Sequence, residues 1–220
     1  MRITKLGHCC LVLEVDGVKI LTDPGSYTTA QNDLTGIDIV LITHEHQDHF
    51  HAESVAAVLQ HNPNAAVVCN SAVAALIQKN NITSAVTVVG DKGNATIKGV
   101  LIEGFGKDHA LVYPPNMGLC ENTGYMVANR FYFPGDNFHL PAQAGQPGKA
   151  VDVLALPVAG PWMKMSDCID FAKAVKARKA FGVHDGMVAS NSRSFVNMLL
   201  ERFVPETEYV TLADGESREF

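Results

Sequence analysis

Residues 38–49 read Asp-Ile-Val-Leu-Ile-Thr-His-Glu-His-Gln-Asp-His, and this segment is the most informative in the chain. Its first half is a short apolar, β-branched run, which is typical of a strand buried on both faces. Its second half, from His44 to His49, brings three imidazoles and two carboxylates into six residues. Loops that follow buried strands often carry functional residues. The segment therefore predicts a strand that ends in a metal-binding loop.

The spacing of the side chains in this loop suits metal ions. Neutral imidazole and carboxylate are ligands for Zn²⁺ and also for Mn²⁺ or Fe. His44 and His46 alternate, so in an extended loop both can reach one metal, whereas Asp48 and His49 can turn toward a second. The pattern is not the His-Glu-x-x-His of zinc proteases. The alternative is a polar loop in which Asp48 caps the next helix, but the density of histidines disfavours it.

On either side of this segment, predicted strands and helices alternate along the chain. A hairpin turn at Asp16-Gly17 joins the first two strands. We expect Asn70 or Ser71 to cap the second helix and Ser166 to cap the third. Strands are predicted at 11–15, 18–21, 38–43, 65–69, 86–89, 95–105, 124–128, 131–133, 151–156, 179–183 and 208–212. Helices are predicted at 52–60, 71–79, 166–177 and 192–203. This order predicts mixed sheets with helices outside, in a single domain of residues 1–220 with a polar loop at 143–149.

The loop motif His-x-His-x-Asp-His resembles the signature of the metallo-β-lactamase-fold hydrolases. Further similar segments follow in order over nearly the whole chain: 7–10, 20–24, 107–110, 122–125, 133–136, 156–162 and 183–185. The opening pair, Gly-His-Cys-Cys and Ile-Leu-Thr-Asp-Pro, is similar to that of the ascorbate-phosphate-lactonase-like branch. The resemblance implies an α+β fold, an αββα four-layer sandwich of two mixed β-sheets packed face to face with helices on both outer faces.

The resemblance also implies a set of metal ligands, residue by residue. The first metal would be held by His44, His46 and His109, the second by Asp48, His49 and His184, and Asp136 would bridge both. Three of these residues have simpler alternatives. His109 is compatible with a surface loop, Asp136 with a turn after Pro-Gly, and His184 with a core position at a strand end.

Residues outside the ligand set are also candidates for the site. The resemblance places His8 near the metals, as a group that contacts a ligand or the substrate, and simple packing is its alternative. We expect catalytic roles for His8 and for Asp48, which could orient the attacking water or pass on its proton. Trp162 could form an apolar wall of the pocket or pack in the core. His139 could line the pocket or lie on the surface, and His51 and His61 are expected on the surface.

The implied function is hydrolysis with two divalent metal ions, Zn²⁺ first, with Mn²⁺ or Fe as alternatives. Two metals roughly 3.5–4 Å apart lower the pKa of a bridging water and generate hydroxide near neutral pH. The expected substrate is a small molecule with an ester, lactone or phosphoester bond, and an anionic substrate is compatible with the metal charge. One rival is a non-catalytic metal-binding or regulatory protein, which the complete ligand set disfavours. Another is a two-iron oxidoreductase, which usually carries an additional electron-carrier domain.

Composition excludes several other classes of protein. The net charge of −6 and the pI of about 5.8 argue against sequence-independent nucleic-acid binding, which needs a basic surface. The sequence has no pattern of a signal peptide or membrane span, so we expect a cytoplasmic protein. Five cysteines, an odd number without metal-site spacing, indicate reduced thiols. A homo-oligomer is compatible with all of this.

Overall fold

Buried apolar runs form the central strands of two mixed sheets in the computed structural model, which describes residues 1–83, 85–112, 120–144 and 151–220. The first sheet contains β1 (Arg2–Gly7), β2 (Cys10–Val15), β3 (Val18–Thr22), β4 (Ile39–Ile42), β5 (Ala66–Cys69), β6 (Val86–Val88) and β14 (Ser217–Glu219), in the order β14-β1-β2-β3-β4-β5-β6. The second contains β7 (Asn94–Ile97), β8 (Val100–Phe105), β9 (Gly124–Val127), β10 (Phe131–Phe133), β11 (Val153–Pro157), β12 (Lys179–Val183) and β13 (Glu208–Tyr209), in the order β13-β12-β11-β10-β9-β8-β7.

Four helices cover the outer faces of these sheets within the described ranges. They are α1 (Ala52–His61), α2 (Ser71–Lys79), α3 (Met165–Val175) and α4 (Arg193–Phe203), the last preceded by a short 3-10 turn, Ser190–Ser192. One apolar cluster packs α1 and α2 against the first sheet, and another packs α3 and α4 against the second. A third cluster lies between the sheets, where Leu41 of the first sheet and Phe131 of the second belong to one core. The predicted αββα sandwich is therefore confirmed.

The burial of strand β4 explains the continuous apolar pattern at 38–43. All four of its residues are buried. Ile39 and Leu41 face the core between the sheets, whereas Val40 and Ile42 face the layer of α1 and α2. A strand covered on both faces needs apolar residues throughout, which is the continuous pattern that the sequence has.

Several element boundaries differ from the prediction. The third helix begins at Met165 and its N-cap is Lys164, whose backbone N–H donates to the Asp167 carboxylate at 2.7 Å, so Ser166 is not the cap. The last predicted strand ends at Tyr209 instead of 212. Strands β1 and β14, at the two ends of the chain, were not predicted. Residues 145–150, which hold most of the predicted polar loop, lie outside the described residues.

Two further expectations concern cysteines and membranes. Of the five free cysteines, four are buried and Cys120 is partly exposed, as expected of reduced thiols. In the described ranges, every helix is too short or too polar to cross a bilayer.

Candidate metal centre

The predicted site residues meet at one edge of the sandwich, because each follows the end of a strand. The loop from His44 to His49 follows β4, His184 comes directly after β12, and Asp136 lies three residues beyond β10. His109 lies four residues beyond β8, and His8 lies between β1 and β2. Within each sheet, β3–β4–β5 and β10–β11–β12 run parallel, so their carboxyl ends open on the same edge.

These side chains form two groups, each with ligand atoms within 4.8 Å of one another. One group is His44, His46, His109 and Asp136, and the other is His8, Asp48, His49 and His184. All seven predicted ligands are therefore brought together, and the division between the groups matches the predicted division between two metals. His8 is the one member that is not in the predicted ligand set.

Asp136 lies between the two groups. Its Oδ2 is 3.3 Å from Nε2 of His109 in the first group and 3.0 Å from Nε2 of His184 in the second. Its Oδ1 is 3.2 Å from Nε2 of His49, also in the second group. The carboxylate of Asp136 is therefore in contact with both groups.

Four of the histidines are oriented through their Nδ1 atoms. Nδ1 of His44 donates to Thr43 Oγ1 at 3.0 Å, and Nδ1 of His49 donates to Asp23 Oδ2 at 2.6 Å. Nδ1 of His109 donates to the Ala110 carbonyl at 2.5 Å, and Nδ1 of His184 donates to the Ala159 carbonyl at 2.6 Å. Each bond places a hydrogen on Nδ1, so that Nε2 faces the cluster. Histidines that bind metals are held in this way.

Several of the atoms that face the cluster are buried and have no hydrogen-bond partner. They are Nε2 of His49, His109 and His184, and Oδ1 of Asp136. A buried polar atom without a partner costs about 1–3 kcal/mol of stability. Four such atoms at one point therefore indicate a ligand that satisfies them. Metal ions would satisfy all four, and the imidazole and carboxylate donors suit Zn²⁺, Mn²⁺ and Fe. The residues present therefore fit a metal site.

The buried charges of the metal-free cluster stabilise one another. Burial lowers the pKa of His44 well below its ordinary value, and its histidine neighbours add to the effect. Burial would also lower the pKa of His184, but the carboxylates of Asp136 and Asp48, 3.0 Å and 3.4 Å from its Nε2, outweigh it and raise that pKa to about 9. Burial opposes ionisation of Asp136, yet the charge of His49 and the close approach of His109 and His184 hold its pKa well below the usual range. Carboxylates that stay ionised are what a cation site needs.

Asp23 is a site residue that was not singled out from the sequence. It is fully buried at the end of β3, and it accepts hydrogen bonds from Thr43 N at 2.8 Å, Thr43 Oγ1 at 2.7 Å and His49 Nδ1. Because Thr43 Oγ1 also accepts from His44, one carboxylate orients a histidine of each group. The Thr-Asp-Pro sequence at 22–24 was the available signal, within a segment noted only for its resemblance.

The hydrogen bonds of His8 determine its tautomer. The backbone N–H of Gly186 donates to its Nδ1 at 3.1 Å. The hydrogen of the neutral ring is therefore on Nε2, which donates to Oδ2 of Asp48 at 3.1 Å. Burial lowers the pKa of His8, which favours this neutral form. His8 lies in the site as predicted, but its contacts are those of a donor to Asp48 rather than of a metal ligand.

The backbone is strained at three of these positions. His8, Asp23 and His184 have φ values of 53°, 37° and 56°, in the left-handed region that non-glycine residues rarely adopt. Each such residue costs on the order of 1–3 kcal/mol and persists where the surroundings enforce it, commonly at active sites. The backbone of Gly25 also lies close to that of Asp48, because a Cβ at Gly25 would be 1.9 Å from the Asp48 carbonyl oxygen.

The remaining candidates are divided between the site and the surface. Trp162 is buried, and its indole N–H donates to Asp136 Oδ2 at 3.0 Å. His139 has an exposed side chain whose ring lies against Gly106. His51 is the N-cap of α1 and His61 its last residue, which leaves Asp48 free of the capping role considered above.

Sequence comparisons relate the chain to known proteins. A family model described as "Beta-lactamase superfamily domain" matches residues 2–184. Protein Rv0786c of Mycobacterium tuberculosis is 33% identical over 198 residues, 88% of each chain. A UPF0173 metal-dependent hydrolase of Aeropyrum pernix is 27% identical, covering 100% of this chain and 97% of that relative.

Solved structures share the fold. Igni18, described as a novel metallo hydrolase from the archaeon Ignicoccus hospitalis, superposes with a TM-score of 0.73 at 19% identity, covering 100% of this chain and 98% of the other. The narrower resemblance to the ascorbate-phosphate-lactonase branch stays a prediction. The family match and the clustered histidines and aspartates lead to one conclusion: the chain belongs to the metal-dependent hydrolases of the metallo-β-lactamase fold.

Proposed function

We propose that this protein hydrolyses an ester, lactone or phosphoester bond of a small molecule with two divalent metal ions. The first ion would be held by His44, His46 and His109, the second by Asp48, His49 and His184, and Asp136 would bridge them. Zn²⁺ is the first candidate, and Mn²⁺ and Fe are alternatives, because this mixture of imidazole and carboxylate accepts all three.

One observation carries the proposal. Asp136 lies within 3.0–3.3 Å of Nε2 atoms from both groups, and four of the atoms gathered there are buried without a hydrogen-bond partner. A non-metal site would be expected to satisfy these atoms with donors and acceptors of the protein. Two groups that share one carboxylate favour two ions over one.

Two metal ions so placed would activate a water molecule for attack and polarise the bond under attack. The protein's own part falls on Asp48 and His8. The nearby His184 and the hydrogen bond from His8 outweigh the effect of burial and hold the pKa of Asp48 below its usual range, so its carboxylate stays ionised and can accept a hydrogen bond from the attacking water. The neutral His8 Nε2–H fixes the direction of that carboxylate. Asp48 would thus orient the nucleophile.

The side chains around the site favour an uncharged substrate with apolar groups. Three large apolar residues within four positions of a proposed ligand are 48–52% exposed, namely Leu111, Leu140 and Met187, and Tyr27 is 49% exposed. The ring of Tyr27 lies 4.6 Å from that of His8, which places it at the site. Exposed apolar residues around a polar centre are typical of ligand sites. These side chains would stabilise bound alkyl or aryl groups, but they carry no charge that could pair with a phosphate. We therefore favour a neutral ester or lactone.

The proposal is tested by metal content and hydrolysis on the same preparation. Protein purified without chelator is assayed by elemental analysis, as wild type and as Asp136→Asn, which keeps the size of the side chain. We expect about two equivalents of metal per chain, falling sharply in the variant, and hydrolysis of aryl esters or lactones in preference to bis(p-nitrophenyl) phosphate. Trace metal in the wild type after soaking in Zn²⁺ and Mn²⁺ would overturn the metal centre. Full metal without hydrolysis of any probe would favour the non-catalytic, metal-binding alternative.

A further inference from the structure

Trp162 contacts the carboxylate that joins the two groups. Its Nε1–H donates to Asp136 Oδ2 at 3.0 Å, and this is the oxygen closest to His184 and His109. The indole is 8% exposed, so the bond is shielded from water. Its ring meets those of His109 and His184 edge-on, with centroids 5.9 Å and 5.8 Å away. The indole therefore reaches one histidine of each group and the aspartate between them.

The backbone around Trp162 is shaped for this contact. A Cβ at Gly160 would lie 2.7 Å from the indole nitrogen, so glycine is needed for the ring to lie there. On the far side, the ring of Phe138 packs against the indole with centroids 5.2 Å apart. The same loop presents the Ala159 carbonyl that accepts from His184 Nδ1. One loop after β11 thus orients two of the candidate ligands.

Among side chains that could bond Asp136, an indole has particular properties. It is a donor only and does not ionise, so it cannot compete as a metal ligand or lose its hydrogen at high pH. It can thus hold one oxygen of Asp136 in a fixed direction whether or not metal is bound. Groups that orient ligands in this manner commonly change metal affinity by about 10–100-fold when they are removed.

We propose that Trp162 is a positioning residue of the metal centre: its indole N–H fixes the Asp136 carboxylate in the orientation that bridges two ions, and its fluorescence reports their binding. This inference rests on the proposed two-metal centre. Trp162 is the chain's single tryptophan, so its emission comes from one position beside the site. Mn²⁺, which is paramagnetic, is expected to quench that emission as it fills the site.

The test removes the N–H while keeping the ring. Because there is one tryptophan, global replacement by β-(3-benzothienyl)alanine in an auxotroph changes N–H to sulfur at this position alone. Trp162→Phe is the genetically encoded counterpart, and Phe138→Leu is the matched control, which weakens packing on the indole but keeps its N–H. For each protein, Zn²⁺ affinity is measured by competition with a chromophoric chelator, and the melting temperature is measured without metal.

We expect Zn²⁺ affinity to fall by about 10–100-fold in the benzothienyl protein and in Trp162→Phe, with melting of the metal-free proteins close to wild type. Phe138→Leu should keep wild-type affinity, and Mn²⁺ should quench the wild-type emission in proportion to the metal bound. Wild-type affinity in the benzothienyl protein would overturn the role of the N–H. An equal loss of affinity in Phe138→Leu would assign the effect to packing. A wild type that binds no metal would instead refute the metal centre itself, so the two failures are distinguishable.

Discussion

Nδ1 of His49 donates a hydrogen bond of 2.6 Å to Oδ2 of Asp23, and both side chains are completely buried. The same carboxylate accepts from the backbone and hydroxyl of Thr43, whose Oγ1 in turn accepts from His44 Nδ1. Asp23 therefore sets the direction of one histidine in each group. A ligand that is held before the metal arrives loses less freedom on binding, and this should appear as affinity.

Asp23→Asn should weaken metal binding. The carboxylate receives three donors, and an amide of the same shape can accept with one atom only, while its NH₂ opposes a donor. We expect about 10–100-fold lower Zn²⁺ affinity, measured by chelator competition. Asp38→Asn, a replacement of the same type at a carboxylate that bonds Lys19 N and Lys98, is the matched control and should leave affinity unchanged. Equal affinity in both variants would contradict the prediction.

His8→Phe should separate the role of a ligand from that of a donor. The variant keeps an aromatic ring but loses the bonds to Asp48 and Gly186. Since the tautomer makes His8 a donor, we expect unchanged metal stoichiometry by elemental analysis and a kcat lowered about 10–100-fold. Tyr27→Phe, which keeps the ring against His8, should retain both quantities. Loss of one metal equivalent in His8→Phe would show that His8 is a ligand after all.

The sequence predicted some parts of this structure and not others. Strand β4 and the loop after it were predictable because both the apolar run and the histidine spacing are local. The two strands missed, β1 and β14, pair with each other from opposite ends of the chain. Strand β1 carries Lys5, which reads as an exposed residue until its partner is known. Trp162 could be placed near the pocket, but not on Asp136, because that bond joins residues 26 positions apart through the tertiary fold.

The buried ion pair of Lys5 is a distant contact that should contribute to the stability of the fold. Lys5 is 1% exposed, and its Nζ donates to Asp185 Oδ2 at 2.7 Å and to the Gly182 carbonyl at 3.0 Å. Lys5→Met keeps the stem but leaves Asp185 with Arg193 alone, at 3.5 Å. Removing one partner of a buried pair costs about 3–5 kcal/mol.

We therefore expect Lys5→Met to lower the free energy of unfolding by about 3 kcal/mol, measured by urea denaturation of the metal-free protein. Lys19→Met, at a half-exposed lysine of β3, should change it by less than about 1 kcal/mol. The double variant Lys5→Met/Asp185→Asn should recover part of the loss, because no buried charge is then left unpaired. A Lys5→Met protein as stable as wild type would contradict the importance of the pair.

Metal binding should become tighter as the pH rises. The nearby carboxylates of Asp136 and Asp48 overcome the effect of burial and raise the pKa of His184 to about 9 in the metal-free protein. An ion can bind only the neutral imidazole, so below pH 9 a proton must leave first. For that one proton, Zn²⁺ affinity should rise about tenfold per pH unit between pH 7 and 9. Calorimetry in two buffers of different ionisation enthalpy measures the protons released.

The stability of the metal-free protein should change in the opposite direction over the same range. Because the folded pKa of His184 lies above its unfolded value of about 6.5, its protonation stabilises the fold fully below pH 6.5 and ceases to do so as the pH rises through 9. Urea midpoints of metal-free protein should therefore fall between pH 7 and 9, while Zn²⁺ affinity rises. His184→Gln, which does not titrate, should flatten the urea profile. A metal affinity that is independent of pH in this range would mean that the cluster holds no proton for the metal to displace.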